Sequence, residues 1–103
     1  MNLELSIREL FGSHLADGAK AAEFRMGRIE PYVEICPQIV LDFTGVRNAN
    51  SSFINAMVAG LIEQHSVKVL KKLVFKGCNP SIQVLIHAAV ELGVRKTAGR
   101  VNA

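Results

Sequence analysis

Two adjacent serines, Ser51 and Ser52, stand where a polar loop, 44–50, leads from an apolar run into an amphipathic segment. Serine is a preferred N-cap of a helix, because its hydroxyl accepts an N–H of the first turn. The N-terminus of a helix also carries partial positive charge, so a phosphate on Ser51 would be tolerated there while presenting about two negative charges to a partner. The junction therefore predicts either a simple helix cap or a site of regulatory phosphorylation.

The segment that follows the serines has a composition unusual for a surface helix. Its core-facing positions are apolar at helical spacing, namely Ile54, Met57, Val58, Leu61 and Ile62. Its opposite face is small and weakly charged, consisting of Asn55, Ala56, Ala59, Gly60 and Glu63. Because an exposed helix face is ordinarily rich in Lys and Glu, we interpret this flat face as a docking surface for a partner. Packing under another element of the same chain and a homodimer contact are the alternatives.

The other residues capable of chemistry match no catalytic or metal-binding motif. The three histidines are scattered without ligand spacing, and neither a nucleophile elbow nor a Gly-rich phosphate loop occurs. Cys36 precedes one predicted strand and Cys78 follows the next, so parallel strands would hold the thiols too far apart for a disulfide. We expect a protein that is not an enzyme, with no metal, no cofactor and two reduced thiols.

Composition and charge narrow the class of protein. The chain has 103 residues, half of them hydrophobic, which is typical of one small globular domain. No apolar stretch approaches the roughly 20 residues that span a bilayer, and the N-terminus has no signal-peptide pattern, so we expect a cytoplasmic protein without membrane contact. Residues 52–103 carry seven basic and two acidic side chains, but almost no aromatic residues are interleaved with them, so the composition does not favour a dedicated nucleic-acid-binding module.

The hydrophobic pattern alternates between strands and helices. Strands are predicted at 3–7, 38–43 and 73–75, and helices at 18–34, 51–64 and from 80 to an end at Gly93. Asp17 and Asn79 are the expected caps of the first and last helix, and Pro31 is expected to kink or interrupt the first one. Strands that alternate with helices form parallel crossover units, so the pattern predicts an α/β fold.

The residues around the serines resemble a known family. The run from Ile39 to Val46, followed by Asn50-Ser-Ser-Phe53 and a helix, is similar to the STAS domains of anti-sigma-factor antagonists, and more similar to the bacterial STAS-like family. The resemblance implies a single STAS-like domain over 1–94, with a mixed, mostly parallel sheet of about four strands and helices mainly on one side. Residues 95–103 would then form a basic, flexible tail.

The same resemblance implies a function. In the antagonists this helix start reads Asp-Ser-Ser-Gly, and a partner kinase of the GHKL ATPase type phosphorylates the first serine. Ser51 matches that serine, Ser52 its neighbour and Asn50 the preceding acidic residue, while Phe53 replaces a glycine that lets the kinase approach closely. The implied function is a non-catalytic bacterial regulatory module that docks a serine-kinase-like ATPase and is switched by phosphorylation. Its expected contact residues are Thr44, Asn48, Asn50, Phe53, Asn55 and Ala59.

Two other functions stay open. A domain that senses a nucleotide or another small anion would use the same helix N-terminus, Thr44, Asn48 and the basic residues after Val67. A nucleic-acid accessory protein would use the cluster from Lys68 to Lys76 together with the tail, and its affinity would fall steeply with salt. A homodimer is compatible with any of these functions.

Overall fold

The computed structural model describes residues 2–101, and side chains as far as residue 98. The chain begins with strand β1 (Leu3–Ser6), helix α1 (Ile7–Phe11) and the two-residue strand β2 (His14–Leu15). Helix α1 was not expected. It starts where the Ser6 hydroxyl accepts a hydrogen bond from the Glu9 N–H at 3.3 Å, a cap that ends the strand one residue earlier than predicted.

The first long helix starts at its predicted cap. Asp17 accepts the Lys20 N–H at 3.1 Å, and α2 (Gly18–Phe24) follows. The helix continues as a π-helical segment (Arg25–Ile29) and a 3₁₀ turn (Glu30–Tyr32) that contains Pro31. Proline is accommodated in this turn because a 3₁₀ turn at a helix end does not need its missing N–H.

The central part of the chain contains the junction with the two serines. Strand β3 (Ile39–Asp42) is followed by the short strand β4 (Asn48–Ala49) and helix α3 (Ser51–Ile54). A π-helical segment (Asn55–Ala59) joins α3 to α4 (Gly60–His65), so that one continuous helix runs from Ser51 to His65. A 3₁₀ helix (Val67–Lys71) then leads to strand β5 (Leu73–Lys76).

The last helix is longer than predicted. Asn79 caps it as expected, since its Oδ1 accepts the Ile82 N–H at 2.9 Å. Helix α5 (Pro80–Val101) does not end at Gly93, so that prediction was wrong. Gly93 lies against Ile62, and a Cβ at position 93 would stand 2.8 Å from the Ile62 Cβ. The glycine permits close helix packing, and residues 95–101 of the predicted tail are helical, whereas 102–103 lie outside the described residues.

The strands form two parallel sheets. The larger sheet has the order β1-β3-β5, and β2 pairs with β4 in a second sheet of two strands. The α/β prediction is confirmed, although the main sheet has three strands rather than about four and every described pairing is parallel. Ile39 and Leu41 belong to the main hydrophobic cluster, whereas Val40, on the other face of the sheet, is 8% exposed and lies outside that cluster. The helices therefore cover mainly one face of the sheet, as predicted.

No helix in residues 2–101 combines the length and the apolar character that crossing a membrane requires.

Candidate functional site

The helix that carries the two serines is capped by the residue before them. The Oδ1 of Asn50 accepts the Phe53 N–H at 2.9 Å, and its Nδ2 donates to the Ala16 carbonyl at 3.0 Å. The prediction that Ser51 or Ser52 is the cap was therefore wrong. Asparagine succeeds here because its amide can accept from the helix and donate to the neighbouring loop at the same time.

Ser51 and Ser52 occupy the first two positions of the helix, and both are exposed. In the described part of the chain, neither hydroxyl makes a hydrogen bond. Ser52 lies against the N-terminus of α2, where a Cβ on Gly18 would stand 2.5 Å from the Ser52 Oγ. Ser51 is thus the more accessible hydroxyl, and it lies in the first turn of a helix of four turns, where an anion is favoured.

Phe53 points into the core rather than toward a partner. Its side chain is 1% exposed, and its ring meets the Phe11 ring edge-on with centroids 5.0 Å apart. Phe11 in turn packs against Phe24 at 5.3 Å. The expectation that Phe53 contacts a partner is corrected, and so is the expectation that this side chain obstructs the approach of a kinase.

The flat helix face is covered by the same chain. Ala59 is 1% exposed and Gly60 is buried, while Asn55 and Ala56 are half-buried. Arg25, on the helix that begins with α2, lies over Gly60, and the Lys96 Nζ of α5 lies 3.7 Å from the Glu63 Oε2. The interpretation of this face as an exposed docking surface was wrong, and the alternative of packing within the chain holds. Ala59 is consequently a core residue, whereas Asn55, Ala56 and Glu63 keep partial access to solvent.

A partly buried cluster of Arg25, Glu30 and His65 lies against one of the small residues of that face, Gly60. The Arg25 Nη1 lies 2.7 Å from the Glu30 Oε2, and the His65 Nε2 lies 3.5 Å from the Glu30 Oε1. Arg25 crosses the helix at Gly60, where a Cβ would stand 2.6 Å from the Arg25 Cζ. The sequence analysis missed this cluster, because an arginine and a histidine forty positions apart carry no local signal of contact.

Thr44 belongs to a turn at the end of β3. Its hydroxyl and its N–H donate to the Asp42 Oδ1 at 2.6 and 2.9 Å. The Thr44 hydroxyl, then its N–H and the nearby Lys76 charge hold the pKa of Asp42 below its usual value. Gly77 has a φ of +68° and passes so close to Thr44 that a side chain there would collide with it. The Thr44 hydroxyl is therefore committed to Asp42 in this structure.

The loop before the serines is held by hydrogen bonds with two other parts of the chain, Asn79 and Ser13. Asn79 donates from Nδ2 to the Arg47 carbonyl at 2.9 Å and to the Val46 carbonyl at 3.3 Å. The N–H groups of Arg47 and Asn48 both donate to the Ser13 carbonyl, at 2.8 and 3.2 Å. The side chain of Asn48 remains exposed. Asn48, Asn50, Ser51 and Ser52 are thus presented together on a braced segment, which the hydrogen bonds of two asparagine caps position.

Two clefts lie beside this segment. The smaller, about 240 Å³, is lined by residues on both strands of the short sheet, namely His14, Leu15, Ala16, Asn48, Ala49 and Asn50. The larger, about 390 Å³, shares His14–Ala16 with it and extends to Asp17, Lys20, Leu10 and the ring of Phe11. The exposed surface around Ser51 therefore combines polar side chains with two concave, partly apolar clefts, which suits contact with a protein.

A family model described as STAS-like domain of unknown function (DUF4325) matches residues 20–83. The match takes in more than half of the chain and includes the whole serine junction. No curated protein and no solved structure matches the chain significantly.

Proposed function

The chain belongs to the family of STAS-like domains, and we propose that it is a non-catalytic regulatory module that docks a protein partner through the surface around Ser51. The observation that supports this most is the freedom of Ser51. Because Asn50 caps the helix, the Ser51 hydroxyl is exposed and available for modification or contact. A serine that served only as a cap would have its hydroxyl bound to the first turn.

The proposed switch is phosphorylation of Ser51 by a kinase-like ATPase partner. A phosphate at the first helical position would face the partial positive charge of the helix N-terminus and bring about two negative charges to the contact surface. The departure of Phe53 from glycine does not oppose this step, since its ring is buried against Phe11. Asn50, which stands where the antagonists have an acidic residue, still caps the helix, and its amide also holds the neighbouring loop at Ala16.

The proposed contact surface comprises the exposed residues Asn48, Asn50, Ser51 and Ser52 with the two adjoining clefts. Asn55 contributes at its margin, and Phe53 and Ala59 support the surface from inside. Two free cysteines fit a reducing compartment, so the proposal places the module in the bacterial cytoplasm.

The decisive experiment compares the wild type with Ser51→Asp and Ser51→Ala as immobilised baits in a lysate of the host. We expect a kinase-like ATPase to bind the wild type and Ser51→Ala and to bind Ser51→Asp at least about tenfold more weakly. The matched control is Ser81→Asp, which adds the same charge at an exposed serine in the first turn of α5. Equal retention by the Ser, Ala and Asp forms at position 51 would refute the switch.

A sensor of nucleotides or small anions is the second candidate, supported by the 240 Å³ cleft between His14 and Asn48 beside the helix N-terminus. A ligand that binds only the native state raises the melting temperature by mass action. ATP, GTP and inorganic phosphate at millimolar concentration would each be tested. A shift that Asn48→Leu abolishes would favour the sensor over the docking module.

A further inference from the structure

We propose that the outer edge of β5, with the groove between β5 and α5, binds an extended acidic segment of a partner protein as an added strand. This groove, which we call the β5 groove, is about 500 Å³ and is lined by Phe75, Gly77, Ile86, His87 and Val90, among others. None of these residues belongs to the surface around Ser51. The inference is therefore independent of the proposed function.

The backbone of β5 has an unused edge. The Ile39 N–H donates to the Lys72 carbonyl at 2.8 Å, and the Phe43 N–H donates to the Lys76 carbonyl at 2.7 Å. Alternate residues of a parallel strand direct their backbone groups to the same neighbour, so those of Leu73 and Phe75 point away from β3. In the part of the chain that the structure describes, no strand pairs with that side of β5.

The two lysines of this region do not shield the edge. Charged side chains, lysine above all, commonly protect an exposed strand from pairing. Here the Lys72 Nζ donates to the Val33 carbonyl, and the Lys76 Nζ lies 3.9 Å from Glu4 on the far strand β1. Both side chains are directed away from the outer edge of β5, since Lys72 reaches the segment before β3 and Lys76 reaches across the sheet to β1. The edge therefore stays open to an incoming strand.

The β5 groove would receive the side chains of such a strand. Phe75 lies on the core-facing side of the sheet in register with Leu41, and Ile86 is almost fully buried on the opposing wall. An inward-pointing apolar residue of an added strand would pack between them. Strand addition combines these two sources of affinity, the main-chain hydrogen bonds and the pockets for alternate side chains.

The charge around the β5 groove selects an acidic occupant. A second cleft, which shares Val90 with the groove, extends it along α5 to Arg95. Lys68 and Lys71 are exposed on the 3₁₀ helix that precedes β5 and contacts α5. Glu91 is the one acidic residue that lines either cleft. Carboxylates in the bound segment would complement this basic end.

The test selects peptides from a displayed library of random decamers against the intact protein. We expect enriched sequences that alternate apolar residues with flanking carboxylates. In NMR spectra the amide protons of Leu73 and Phe75, which point away from β3, should become protected from exchange with solvent when such a peptide is added. Arg95→Glu should weaken binding about tenfold, because it reverses an exposed charge beside the β5 groove.

The matched control is Arg28→Glu, which makes the same charge change on another exposed helical position and should leave affinity unchanged. Ser51→Asp should likewise have no effect. Failure to enrich any sequence, equal losses with Arg28→Glu and Arg95→Glu, or protection that appears outside β5 would each overturn the proposal. Self-association that protects Leu73 and Phe75 without peptide would assign the edge to a second copy instead.

Discussion

The two ends of the Asn50 amide have different partners, and this difference determines what the neighbouring serines can do. The Oδ1 caps the start of the helix by accepting the Phe53 N–H, whereas the Nδ2 donates to the Ala16 carbonyl in the neighbouring loop. Serine at this position could cap the helix but could not also reach the loop, and alanine could do neither. The side chain therefore contributes two separable interactions.

Replacing Asn50 tests that separation. We expect Asn50→Ser to lower the free energy of unfolding by about 1 kcal/mol, through loss of the hydrogen bond to Ala16. Asn50→Ala should lower it by about 1 kcal/mol more, through loss of the cap. Urea denaturation measures both. Asn48→Ala, at an exposed neighbour, is the control, and equal stabilities of the Ser and Ala variants would show that the cap contributes nothing.

The turn at Asp42 makes a second prediction at the scale of residues. Thr44→Val removes the hydroxyl donor, which is the main cause of the low pKa of Asp42, so the pKa should rise toward its usual value. A carboxylate whose pKa is lowered by folding stabilises the protein above the unfolded pKa and loses that effect as the pH falls through the folded pKa. The stability difference between wild type and Thr44→Val should therefore shrink in acid.

NMR titration of the Asp42 carboxyl carbon measures this pKa directly. Thr44→Ser keeps the hydroxyl and is the matched control, for which we expect little change. A Thr44→Val variant that titrates like the wild type would show that the hydroxyl is not responsible.

At the scale of elements, close contact between the helix that begins with α2 and the helix from Ser51 to His65 depends on Gly60. Alanine is normally favoured over glycine in a helix by about 1 kcal/mol. At Gly60, however, an added Cβ would stand 2.6 Å from the Arg25 Cζ. The guanidinium is held by Glu30 at 2.7 Å, so it can move away only by giving up that partner. Packing therefore overrides helix propensity at this position.

We expect Gly60→Ala to lower the thermal stability despite the better helix propensity of alanine. Gly27→Ala is the matched control, because a Cβ there would meet no atom within 4 Å, and we expect it to raise the stability slightly. Calorimetry on both variants gives the comparison. Stabilisation by Gly60→Ala similar to that by Gly27→Ala would mean that the Arg25 contact is easily rearranged.

At the scale of the whole molecule, the two proposed binding surfaces lie at different places on the sheet. The loop and helix start around Ser51 follow the end of β3, where the ligands of open α/β sheets commonly bind. The β5 groove lies at one side of the sheet, where the backbone has an unpaired edge. The two surfaces share none of the residues named for either. A phosphorylation signal at one surface could thus change one partner while the other remains bound.

The sequence by itself determined the order of the three strands of the main sheet and of the three long helices, two of the helix caps and the parallel crossovers, but not α1 or the short strands β2 and β4. Asp17 and Asn79 could be identified because a cap acts on N–H groups within three residues of itself. The separation of the two cysteines followed from the parallel order of β3 and β5. The family of the chain was also readable from the run around the serines, which has a recognisable local pattern.

The tertiary structure alone decided which residues of the candidate site are accessible. Three neighbouring residues, Asn50, Ser51 and Ser52, were all competent caps, and the hydrogen bond from Asn50 to Ala16, 34 positions away, accompanies the choice of Asn50. Helical periodicity placed Ala59 on an outer face, and the family resemblance made Phe53 a partner contact, but both side chains are buried, Phe53 against the Phe11 ring. Gly93 looked like a helix end and serves close packing on Ile62. Each of these outcomes depends on contacts between elements remote in sequence, which no local pattern contains.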